Sequence, residues 1–123
     1  MLKLVVPFLT IFILATNTYA QEVSKSDWIT YMKGAIPTAF CQEDGYIMKC
    51  FGISRGECIS ASGKAMDSCI FLADENLPDT LNAAAGQKWG TTLGNCTGNI
   101  LEQQYAKKKS KDKKCYNPKN WLK

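Results

Sequence analysis

The chain contains no histidine. That absence excludes Ser-His-Asp and Cys-His nucleophilic sites and a secreted phospholipase of the His-Asp type. It contains no Cys-x-x-Cys pair, so its cysteines match neither a zinc site nor a thioredoxin-like motif. It has no Asp-x-Asp-x-Asp-Gly loop of the kind that binds calcium, and no metal or cofactor is expected. No alternating strand pattern of useful length is present, and no internal repeat. The longest apolar run, residues 4–15 (LVVPFLTIFILA), has 12 residues, whereas a membrane-spanning helix needs about 20.

That short run is the centre of a tripartite leader. Lys3 precedes it, and Thr18-Tyr19-Ala20 follows with small residues before Gln21. The pattern is that of a secretory signal over residues 1–20, with cleavage after Ala20. A single domain over residues 21–123 is then expected, without a transmembrane segment. Its destination is oxidising, either a periplasm or an extracellular space.

All six cysteines, Cys41, Cys50, Cys58, Cys69, Cys96 and Cys115, fall after the leader. An even set in a short exported chain reads as three disulfides. A domain of this size buries only about 60 to 70% of its unfolded surface, so covalent staples matter. Each contributes roughly 2 to 4 kcal/mol in the chain-entropy account.

Helical signals account for most of the domain. Ser26 precedes Asp27 and an amphipathic run through Trp28, Met32 and Ile36, so a first helix is expected with Ser26 as its N-cap, limited by Gly34 and Pro37. Gln42-Glu43-Asp44-Gly45 signals a turn, and residues 46–51 favour a short helix. Ser54-Arg55-Gly56-Glu57 is a capping box opening a helix over about 55–75. Asn76-Leu77-Pro78-Asp79 is expected to end that helix and start another, with a last helix over about 90–108. Gly90, Gly94 and Gly98 recur every four residues, which predicts close helix packing rather than a ligand site. The fold class predicted is all-α, a bundle of about four helices stapled by three disulfides.

Cys58 and Cys69 are eleven residues apart on one helix face, so about 16 Å separates them. They cannot bond each other, and two other segments must pack on that face. Six cysteines allow fifteen connectivities, and this exclusion removes the three that the other four could form. A chain folding back along the last helix favours Cys96 with Cys115.

Charge is unevenly distributed. Residues 21–105 carry six Lys or Arg against ten Asp or Glu, a balance of −4; residues 106–123 carry eight Lys against Asp112, a balance of +7. Lys107, Lys108, Lys109, Lys111, Lys113 and Lys114, with Tyr116 and Trp121 beside them, form the candidate binding site for an anionic partner. Membrane lipid is the first candidate and a host protein the second; nucleic acid is the lesser one for an exported chain. The alternative role for these lysines is a solvated helix end favouring the negative pole of the preceding helix.

Carboxylates are the only catalytic groups left. Glu43 with Asp44, Asp74 with Glu75, and the single Glu57 and Glu102 do not form a pattern of two acids facing each other across a cleft. Non-enzymatic binding is therefore expected ahead of a carboxylate-based hydrolase. An Asn-x-Thr match at Asn95 lies inside a helix and over a cysteine, and is read as chance.

Phe40-Cys41, Cys50-Phe51, Cys58, Cys69, Leu77-Pro78, Gly94-Asn95-Cys96-Thr97-Gly98 and Cys115 with Trp121 resemble the framework of a small exported bacterial family, typified by the type II secretion substrate NttA. The resemblance implies an α-helical, disulfide-bonded virulence effector exported through the periplasm, acting in or on a host at phosphoinositide-bearing membranes. It carries over no catalytic residue. A periplasmic enzyme inhibitor or envelope binding protein, whose acidic body contacts a basic partner, is the alternative.

Overall fold

The computed structural model describes residues 21–117, 119 and 121; the expected leader and Lys123 lie outside them. Strand β1 (Val23–Ser24) leads directly into helix α1 (Lys25–Phe40), followed by α2 (Tyr46–Phe51), α3 (Arg55–Ala73), β2 (Thr80–Leu81) and α4 (Ala83–Gln104). The expected helical fold with three disulfides is what forms. The one departure in class is a two-residue antiparallel ladder that pairs Val23 with Leu81 and Ser24 with Thr80.

That ladder moves the first helix cap. Ser24 ends the strand in an extended conformation, and its hydroxyl accepts from the Asp27 amide at 3.1 Å, so Ser24 rather than Ser26 caps α1. Asp27 stays in the first turn, where the helix dipole favours a carboxylate. Pro37 does not stop α1, which continues to Phe40. A proline inside a helix costs about 3 kcal/mol. Here the cost is offset by burial of Ile36 and Pro37 and by the disulfide that fixes Cys41, whose amide closes the last turn on the Pro37 carbonyl.

Ser54 caps α3 as its sequence predicts, accepting from the Glu57 amide at 3.1 Å. Burial, then the Glu57 carboxylate, raises the Tyr105 pKa above its ordinary value. The buried face of α3 carries Cys58, Ala61, Ala65, Met66, Cys69 and Ala73. Cys58 bonds Cys41 at the end of α1, and Cys69 bonds Cys96 on α4. Two different segments thus occupy that face, as the spacing requires.

The region after α3 departs from expectation. No helix starts at Pro78: a 3-10 turn at Asp74–Asn76 closes α3, and the following residues extend into β2. Asn82 then caps α4, its side-chain carbonyl accepting from the Ala85 amide at 2.8 Å. The helix runs unbroken for 22 residues through its glycines. Three of them lie under α1: a Cβ at Gly86 would stand 3.3 Å from Trp28 Nε1, one at Gly90 3.3 Å from Met32 Cε and one at Gly98 3.4 Å from Phe40 Cζ, whereas Gly94 has nothing within 4 Å and does not share the expected close packing. Close approach of the two helices offsets the glycines' poor helix propensity.

Two apolar clusters divide the core. One gathers Trp28, Ile36, Met66, Leu77, Leu81 and Leu93 near the ladder. The other gathers Ile47, Phe51, Ile53, Leu101, Tyr105 and Cys115 around α2, at the opposite end of α3. The second cluster is the one that receives the C-terminal segment.

Candidate functional site

The lysine-rich segment is fastened to α2. Cys115 bonds Cys50, not Cys96, so the expected Cys96 pairing is wrong. The chain leaves α4 toward α2 rather than back along α4, because Tyr105 and Cys115 are buried in the cluster that α2 anchors. The Ser110 amide also donates to the Cys50 carbonyl at 2.7 Å. 3-10 turns at Ala106–Lys108 and Lys113–Tyr116 shape the segment. Asp112 caps the second by accepting from the Lys114 amide at 3.0 Å, and Trp121 Nε1 donates to the Lys114 carbonyl at 2.8 Å.

These ties sort the candidate residues into two groups. Lys107, Lys108, Lys111, Lys113 and Lys114 are exposed, and none forms an ion pair with a carboxylate among the described residues. Tyr116 is beside them with 61% of its surface open. Lys109 is different. Its ammonium is 3.7 Å from Glu102 Oε1 and lies over the rings of Tyr116 at 4.4 Å and Tyr46 at 5.6 Å. Trp121 also turns inward, its ring edge-on to Tyr46 at 5.6 Å.

Tyr46, Glu102, Lys109, Cys115, Tyr116 and Trp121 together line a pocket of about 390 Å³. The Tyr46 hydroxyl donates to the Glu102 carboxylate. Burial, then the Glu102 carboxylate, raises the Tyr46 pKa above its ordinary value. The Tyr46 oxygen in turn raises that of Lys109, against the opposing effect of burial. Lys109 therefore keeps its charge and acts as a peg holding the segment to the body. Sequence reading grouped it with the free lysines and missed Tyr46 and Phe51, which lie more than 50 positions away in the chain. Glu102, singled out only as an isolated acid, was the available signal.

Two of the other acids considered for catalysis have partners elsewhere. Asp74 pairs with Lys25 at 3.0 Å, and Glu57 faces Tyr105. The six cysteines are all in disulfides, so no thiol is available.

A family model described as type II secretion substrate NttA matches residues 22–109. The chain belongs to that family. Type II substrates pass through the periplasm and out of the cell, and three disulfides suit that route. No curated protein and no solved structure matches the chain. The family match takes in α1 to α4, Lys107, Lys108 and Lys109; Lys111, Lys113, Lys114, Cys115, Tyr116 and Trp121 lie beyond it. Membership accounts for the export and the scaffold, and the segment after residue 109 has to be read from its geometry.

Proposed function

We propose that this type II secretion substrate is a non-enzymatic effector that binds anionic membrane lipid, phosphoinositide-bearing surfaces first, through its C-terminal lysine segment. The observation that carries the reading is the set of five exposed lysines that have no carboxylate partner among the described residues, on a segment covalently tied to α2. Near an anionic leaflet each lysine contributes about 1 kcal/mol, decaying over roughly 8 to 10 Å. Tyr116 stands among them with an amphipathic ring suited to the headgroup region. A fixed segment loses less conformational freedom on binding than a loose tail does. The absence of histidine and the pairing of every cysteine support the non-enzymatic part of the reading.

Charge reversal tests it. A Lys107/Lys108/Lys111/Lys113→Glu variant, which leaves Lys109 in place, should lose sedimentation with phosphoinositide-containing vesicles while keeping its helical circular dichroism. Equal sedimentation of variant and parent would overturn the reading.

A further inference from the structure

The opposite end of α3 carries a second surface of inverse character. Phe71 and Leu72 stand 82% and 71% exposed in the last turn of α3. With Ile70, Asp67, Asp74, Glu75 and Lys33 they line an open groove of about 620 Å³. The last turn of α3 has no basic residue, so the negative pole of the helix adds to the three carboxylates. Lys33 and Lys25 offset Asp67 and Asp74, at 3.6 and 3.0 Å, and Glu75 has no ion pair among the described residues. Leaving a phenylalanine and a leucine in water forgoes the gain of burying them. Adjacent bare apolar side chains ringed by charge mark an interaction surface rather than scattered surface residues.

We propose that this groove docks a cationic amphipathic segment of a partner protein, one with bulky apolar side chains flanked by Lys or Arg. Phe71 and Leu72 would meet the apolar side chains, while Glu75 and the negative end of α3 meet the flanking cations. The charge of the rim favours a cationic occupant and disfavours an anionic one of equal hydrophobicity. The groove lies at the far end of α3 from the lysine segment, so occupancy of one leaves the other open. The protein could then hold a membrane and a protein partner together.

The test uses the disulfide-bonded protein recovered from culture medium and two synthetic helical peptides, one of Leu and Lys, the other identical with Glu for Lys. Titration followed by amide NMR should show the Leu/Lys peptide shifting signals of residues 67–75 and of Lys33, and the Leu/Glu peptide shifting none of them. Phe71→Ser should weaken the Leu/Lys peptide at least about tenfold, as for a central anchor; Tyr116→Ser should leave it unchanged. Both variants replace exposed side chains, and circular dichroism verifies the fold. Shifts centred elsewhere, equal response to both peptides, or unchanged affinity of Phe71→Ser would overturn the proposal. So would Phe71-dependent dimerisation in sedimentation velocity, which would assign the face to a second copy.

Discussion

Cys50 and Cys115 are joined across 65 residues, and the bond ties the lysine segment to the short helix α2. Closing a loop of that length contributes about 4 kcal/mol in the chain-entropy account. The bond also decides what kind of surface the lysines make. A Cys50→Ser/Cys115→Ser variant should keep α1, α3 and α4, since the other two disulfides join them. Its lysine segment should be cut by trypsin much faster than that of the parent. Equal digestion rates would show that the non-covalent ties suffice.

Lys109 is expected to act as an anchor and not as a member of the binding set. Lys109→Gln removes the Glu102 ion pair and the charge over Tyr46 and Tyr116. It should accelerate proteolysis after the neighbouring lysines. Lys111→Gln, which removes an exposed side chain, should leave that rate within error. The same rate in both variants would return Lys109 to the solvated group.

Alkaline pH should loosen the same anchor. Tyr46, Tyr105 and Lys109 all have pKa values raised above their ordinary ones, Tyr46 and Tyr105 chiefly by burial and Lys109 chiefly by the Tyr46 oxygen. In the window above about pH 10 the folded state therefore holds more protons than the unfolded chain, and stability falls as pH rises through the folded values. Urea midpoints should be level for these groups below that window and decline within it. Tyr46→Phe should reduce the decline, and an identical profile would contradict the assignment.

The glycines of α4 should respond differently to alanine. Gly94 has nothing within 4 Å of an added Cβ, so Gly94→Ala should gain the helix propensity of about 1 kcal/mol. Gly86 faces the rigid Trp28 ring at 3.3 Å, so Gly86→Ala should fail to gain and should lower the melting temperature. Thermal melts that raise both equally would remove the close-packing account of Gly86.

Local signals in this chain were legible where one element decides them. The Ser54 cap, the short helix over Tyr46–Phe51 and the shared face of Cys58 and Cys69 need only spacing and hydrogen-bonding chemistry. Features decided by distant segments were not. The Ser24 cap depends on β2 some 56 residues away, and the long α4 depends on α1 lying against Gly86, Gly90 and Gly98. Pro37 reads as a helix stop until the disulfide and burial that offset it are known. The lysine run was visible as charge, whereas the separate role of Lys109 required Tyr46 and Glu102 to be brought beside it.

The most direct test of the account is amide NMR of the secreted protein against lipid nanodiscs with and without phosphoinositide. The account predicts phosphoinositide-dependent broadening confined to Lys107, Lys108, Lys111, Lys113, Lys114 and Tyr116, weakening with added salt. Broadening that is independent of phosphoinositide, or that centres on α1 and the exposed end of α3, would contradict it.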